Sequence, residues 1–207
     1  MTKEKSAPSQ KSSVLSTLKQ LPVASRQELR DWLAANHSTS TGIWVVTHKV
    51  SAGGTVRWND VVEEVLCFGW VDSLPRKLDA DRSMLLITPR KPKSNWSAKN
   101  KAHVADLEKR GLMQPAGRAA VALSKKNGTW AALDAVSALE VPPDLQAGFK
   151  AFSGAEVYWN AFPPSIRRGI LEWITAAKRP ETRATRVEET ARLAAQNLRA
   201  NQWKGKK

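Results

Sequence analysis

The chain has 207 residues, enough for one domain of ordinary size or two small ones, and 42% are hydrophobic, so a buried core is available. One cysteine, Cys67, excludes an intrachain disulfide framework and fits a reducing compartment. The formal charge is +14 and it is uneven: residues 76–126 carry thirteen basic against four acidic residues, whereas residues 25–75 carry four against six.

Taken in chain order, residues 1–22 are polar, lysine-bearing and end at Pro22, which predicts a flexible basic arm. No apolar run follows the first lysines, so neither an export signal nor a membrane span is expected, and the expected location is the cytoplasm. Ser25 and Glu28 have capping-box spacing and open a helix with Leu29, Trp32 and Leu33 as its stripe. Ile43 to Lys49 is β-branched and aromatic and reads as a strand, with Ser51 to Gly54 as its loop. Asn59 is placed to cap a second helix through Phe68, stopped by Gly69. That helix buries Val61, Val65 and Phe68 and leaves Cys67 on the opposite side.

Trp70 to Leu78 and Ser83 to Thr88 read as two strands around a polar turn, and Pro75 puts the first of them at a sheet edge or a bulge. Beyond Pro92 the pattern turns helical, over 97–110 and again from Pro115 to Leu123. Residues 127–141 read as a connection. Residues 142–200 hold four helices, capped in turn by Asp144, by the Ser153 and Glu156 box, by Ser165, and opening near residue 181, with 201–207 as a basic tail. The whole predicts a single α+β domain. A basic α+β region at 23–126, with a small antiparallel sheet and flanking helices, precedes a helical C-terminal third.

Chemistry is sparsely marked. Cys67 follows Glu63 and Glu64 at a helix C-terminus, where carboxylates and the helix dipole both raise a thiol pKa, so a packed, inert thiol is expected. His37, His48 and His103 have no metal-ligand spacing, and Gly53-Gly54 lacks the lysine and helix of a phosphate loop, so neither metal nor cofactor is expected. The best polar constellation is Arg90, Lys91, Lys93, Ser94, Trp96, Ser97, Asn100 and His103: cations at a helix N-terminus beside an aromatic wall, the make-up of an anion site. Equally, Trp96 could be core and the serines and Asn100 caps. Arg167, Arg168, Arg179, Arg183 and Arg186 form a second basic stripe at helical spacing.

Cys67-Phe-Gly-Trp-Val-Asp72, with Trp58 before it and Thr88-Pro-Arg-Lys-Pro92 and Ser94-Asn-Trp-Ser-Ala-Lys-Asn100 after it, resembles the YdeI/OmpD-associated family, also labelled bacteriocin-protection proteins. Pro163-Pro-Ser-Ile-Arg-Arg168, Glu172-Trp-Ile174 and Ala177 to Arg183 look like its signature domain, so the resemblance runs over about residues 25–195. It implies protection against bacteriocins or cationic antimicrobial peptides and association with a porin, without catalytic residues to carry over. The family is described as periplasmic, unlike the location expected here. The expected function is therefore a non-enzymatic basic protein that binds an anionic partner: an anionic surface or an acidic protein. The alternative is nucleic-acid binding through the 76–126 band, with exposed tryptophans as stacking platforms. A chain of this charge repels cationic peptides, so protection by sequestering them directly is not expected.

Overall fold

The computed structural model describes residues 17–202. Most of the expected basic arm and tail, residues 1–16 and 203–207, lies outside the described residues. The arm was expected to reach Pro22, yet Gln20–Pro22 form a short strand, β1. The described residues divide into two compact units, up to Trp130 and from Ala131, where a single domain was expected. The α+β class holds, with the sheet confined to the first unit.

In the first unit, the elements after β1 are α1 (Arg26–Asn36), β2 (Ile43–His48), α2 (Trp58–Cys67), β3 (Trp70–Lys77), β4 (Arg82–Pro89), α3 (Ala98–Lys109) and α4 (Pro115–Lys126). The strand order is β1-β2-β4-β3; β1 runs parallel to β2 and the other pairings are antiparallel. Successive side chains of a strand point to opposite faces, so Ile43 and Val45 of β2 share a face with their partners Ile87 and Leu85 of β4. These four belong to one buried cluster with Leu29 and Leu33 of α1, Val61, Val65 and Leu66 of α2, and Val104 and Leu107 of α3.

β3 is one of the two edge strands, and its register with β4 slips between Asp72 and Pro75. Three steps along β3 there match two along β4, which is a bulge. Pro75 therefore stands where the sequence placed it, at an edge and at a bulge, where a missing N–H does no harm.

Helix ends follow local chemistry. Ser25 Oγ accepts from the Glu28 N–H (3.2 Å) and Glu28 Oε2 accepts from the Ala24 N–H (2.8 Å), so α1 starts as expected. At α2 the cap is corrected: the helix opens at Trp58, and Asp60, rather than Asn59, reaches back to accept from the Arg57 N–H at 2.8 Å. Gly69 closes α2 at φ +73°, a conformation that favours glycine.

Cys67 is packed, as expected. Its side chain is fully buried beside Arg30 of α1, which also pairs with Glu64, while α4 closes on its backbone. The Gln114 N–H donates to the Cys67 carbonyl at 3.0 Å. Gly117 then approaches so closely that an added Cβ would lie 2.3 Å from the same oxygen. A helical wheel drawn for one partner cannot show a second helix packed on the other side.

The second unit is helical: α5 (Asp134–Ser137), α6 (Pro143–Ala151), α7 (Ala155–Ala161), α8 (Pro164–Thr175) and α9 (Pro180–Ala194). Its core joins Leu145, Phe149, Trp159, Phe162, Ile170, Ile174, Val187 and Ala191. Trp159 packs between Phe149 and Phe162, with ring centroids 5.4 and 6.4 Å away. Three caps are corrected here. Asp144 lies in the first turn of α6, α7 starts after Gly154 in the left-handed region without a side-chain cap, and Ser165 lies inside α8. Pro143, Pro164 and Pro180 open their helices at the first position, where a missing N–H is tolerated.

Candidate anion-binding face

The loop from Arg90 to Ser97 is built around a buried tryptophan. Trp96 is 1% exposed, and its ring lies 5.0 Å from that of Trp130, which is half-buried. The Arg90 guanidinium stacks on Trp96 at 3.8 Å from the ring centroid and donates from Nη1 to the Asn95 carbonyl at 3.0 Å. Burial pushes the Arg90 guanidinium down to about 10, with Asp72 opposing the shift, so it keeps its charge at neutral pH. The stacking platform expected at Trp96 is therefore a core contact, with Arg90 held as its cover.

The remaining members of the constellation separate by role. Ser97 caps α3 by accepting from the Asn100 N–H at 3.2 Å, which fixes the helix start at Ala98. Asn100 lies in the first turn, and the Ser94 N–H closes a turn on the Lys91 carbonyl at 2.9 Å. His103 faces α2, with Nδ1 3.6 Å from Glu63 Oε1. Lys91 and Lys93 stay exposed.

Other cations reach the same face from α3 and α4. The Lys101 and Lys125 ammonium groups lie 5.3 and 5.2 Å from the Trp130 ring centroid. Asn127 Nδ2 donates to the Pro92 carbonyl at 2.7 Å, tying the end of α4, where Lys125 and Lys126 complement the helix dipole, to the loop that carries Lys91 and Lys93. Lys101, Lys125, Lys126 and Trp130 were missed in the sequence. The usable signal was the Lys125-Lys126 pair just before the Asn127-Gly128 turn.

Three of the four acidic residues in the band are taken by arginines: Asp79 by Arg82 (2.7 Å), Asp106 by Arg110 (2.8 Å) and Glu108 by Arg118 (3.0 Å). Lys91, Lys93, Lys125 and Lys126 have no ion pair among the described residues. The excess positive charge on this face is thus carried by mobile, strongly hydrated lysines rather than by fixed guanidinium forks.

Between α1 and α2 lies a buried ionic network that the sequence did not reveal. Glu64 is 2% exposed and accepts from Arg26 Nε and from Arg30 Nη1, the latter at 2.8 Å. Arg30 also donates to the Leu112 carbonyl at 2.8 Å. Burial, and then the Glu64 charge, pushes the neighbouring Cys67 thiol up against the pull of Arg30 and Arg26. A buried, protonated thiol is no nucleophile. Among the described residues no three His, Cys, Asp or Glu side chains are grouped to hold a metal ion.

The second stripe, in the helical unit, is largely engaged. Arg183 donates to both oxygens of Asp144, at 2.6 and 3.0 Å, tying α9 to α6. Arg186 donates to the Trp173 carbonyl and lies 4.9 Å from the Trp173 ring centroid. Arg167 and Arg168 are half-buried on α8, and Arg179 is exposed just before α9. The Arg183 guanidinium holds the Asp144 carboxyl below the usual carboxylate range. The pair therefore stabilises fully above the unfolded value of about 3.9 and fades as pH falls through the lower folded value. Thermal melts between about pH 5 and pH 2 are expected to show a shallower acid loss in Arg183→Ala than in the parent. Identical acid slopes would show that the pair carries no linkage.

No helix of the described residues is long and apolar enough to cross a membrane. In class, the chain joins a basic α+β unit to a helical unit, and each has its own match. Residues 138–197 match the family described as Bacteriocin-protection, YdeI or OmpD-Associated, so the resemblance to that family is shown over this segment. Residues 21–120 match a domain of unknown function (DUF8412). The motifs around Trp58, Cys67–Asp72, Thr88–Pro92 and Ser94–Asn100 fall inside this other match, so the family match itself covers only the C-terminal part of the expected stretch. No curated protein and no solved structure matches the chain.

Proposed function

We propose that the protein is a non-enzymatic factor of the bacteriocin-protection type that docks on anionic surfaces through the lysine face of its first unit. The observation that carries this reading is the sorting of charge in the band. Arginines pair with three of its four carboxylates, while Lys91, Lys93, Lys125 and Lys126 stay unpaired around the tied loop and helix end. Each lysine near an anionic membrane contributes about 1 kcal/mol, so four give reversible binding without an apolar anchor. A +14 chain repels cationic peptides but competes with them for the same anionic sites, and that competition is the proposed protection.

The test is leakage of dye from anionic phospholipid vesicles challenged with a cationic antimicrobial peptide. Pre-adsorbed protein is expected to reduce leakage, and uncharged vesicles are expected to show no such effect. Undiminished leakage with the protein present would contradict the reading. Nucleic acid is the second reading, supported by the two lysines flanking the half-buried Trp130 ring. Salt-sensitive binding of a single-stranded oligonucleotide without vesicle binding would favour it.

A further inference from the structure

The core face of the sheet is longer than the helix that covers it. α2 has ten residues and spans about 15 Å, whereas the eight-residue strands β3 and β4 extend about 27 Å. α2 starts at Trp58, and beyond its N-terminus the last rungs of the sheet are left open. Thr47, Ser83 and Lys77 form one such rung, and Leu85 pairs with Pro75 on the next. The result is a cleft of about 530 Å³ floored by Val56, Val61 and Leu85 and walled by Trp58.

The bulge in β3 decides which cation serves this cleft. Asp72 pairs with Ile87 and so lies on the core face, and strict alternation would then put Arg76 on that face and Lys77 on the other. The extra residue reverses the order. Arg76 still borders the cleft, but its guanidinium is engaged, stacked 4.8 Å from the ring centroid of Trp44 on the opposite face, and Lys77 joins Thr47 and Ser83.

Trp58 is 48% exposed, unusual for a tryptophan at a helix start, and its indole N–H donates to Asp72 Oδ2 at 3.2 Å, which holds the ring as a fixed wall. Lys49, also at the rim, is committed to backbone carbonyls, donating to that of Asp79 at 3.3 Å and to that of Ala80. Arg57 and Lys77 have no ion pair among the described residues, and no carboxylate lines the cleft.

We infer that this cleft binds a small anion with an aromatic body, the ring packed against Trp58 over the Val56, Val61 and Leu85 floor and the charge held between Arg57 and Lys77. The volume falls within the range of small-molecule sites, about 300–1,000 Å³, and a largely apolar lining with a few placed charges is their usual make-up. The site is separate from the lysine face and stands whether or not that face docks on membranes.

The probe is 8-anilinonaphthalene-1-sulfonate, compared with its uncharged analogue N-phenyl-1-naphthylamine, on the full-length protein. The sulfonate is expected to bind at one site with blue-shifted emission and to be displaced by 2-naphthoate. The double charge reversal Arg57→Glu with Lys77→Glu is expected to weaken sulfonate binding at least about tenfold. The uncharged analogue should be retained within about threefold, since its contacts are apolar. Trp58→Ala, at a half-exposed position the fold tolerates, should weaken both probes, while alanine at Lys91, Lys93, Lys125 and Lys126 should change neither. A thermal melt of each variant confirms folding. No sulfonate binding by the folded parent, or binding indifferent to both Trp58→Ala and the double reversal, would overturn the inference.

Discussion

Replacing Trp96 with alanine is expected to lower the unfolding free energy by about 3–5 kcal/mol, the usual loss for a buried large aromatic. The ring is 1% exposed, packs on Trp130 and carries the Arg90 guanidinium at 3.8 Å. Truncation opens a cavity and also uncovers a desolvated cation that has lost its π partner, so two effects add. Urea melts of parent and variant read the loss directly. Binding to anionic vesicles, measured where the variant is still folded, should stay close to the parent value, because the lysines of the face do not depend on the indole. A loss under about 1 kcal/mol combined with abolished binding would mean that Trp96 is a contact surface after all.

Glu64→Gln is expected to be as damaging, at about 3–5 kcal/mol, because it leaves the Arg30 guanidinium facing a neutral amide in a buried position, whereas Arg26 keeps Glu63 at 2.7 Å and Asp60 at 3.5 Å. Arg26 and Arg30 both converge on this one carboxylate, and Arg30 is further fixed by the Leu112 carbonyl. Removing Arg30 as well, by Arg30→Met, should recover part of the loss, since the uncompensated charge is then reduced while the aliphatic stem still fills space. Strict additivity of the two substitutions in denaturant melts would show that the groups are not coupled.

What could be read from the sequence follows the range of the interactions involved. The strands β2, β3 and β4 and the start of α1 were legible because β-branched runs, turn residues and a capping box act within a few positions. Pro75 was legible in the same way, since proline restricts its own neighbourhood. β1 was not: three residues ending in proline carry no periodicity, and only pairing with Trp44 to Val46 makes them a strand. Burial of Glu64 depends on arginines 34 and 38 positions upstream, and the close helix approach at the Cys67 carbonyl depends on a glycine fifty positions downstream. The candidate site was half legible. Lys91 and Lys93 were named, but Trp96 is equally at home in a core or on a surface, and Lys125 and Lys126 join the face only through the Asn127 contact with Pro92. The cleft depends on a one-residue slip that reverses Arg76 and Lys77, which no local pattern announces.

The division of charge explains how one chain can be both strongly basic and well folded. In the first unit, arginines other than Arg57 are spent on structure: Arg26 and Arg30 on Glu64, Arg82, Arg110 and Arg118 on nearby carboxylates, and Arg76 and Arg90 on tryptophan rings. Guanidinium suits these roles through its planar fork and weak hydration, whereas lysine leaves its charge in water and available to a partner.

The proposed docking is tested most directly by titrating parent protein and the fourfold variant Lys91→Glu, Lys93→Glu, Lys125→Glu, Lys126→Glu onto anionic phospholipid vesicles at several salt concentrations. The parent should bind, and the binding should weaken steadily with salt as the Debye length shrinks. The variant should bind at least about a hundredfold more weakly, at about 1 kcal/mol per lysine removed, with an unchanged melting curve because the four side chains have no carboxylate partners to lose. Equal affinity of the two proteins, or affinity that does not respond to salt, would contradict the assignment of the lysine face as the docking surface.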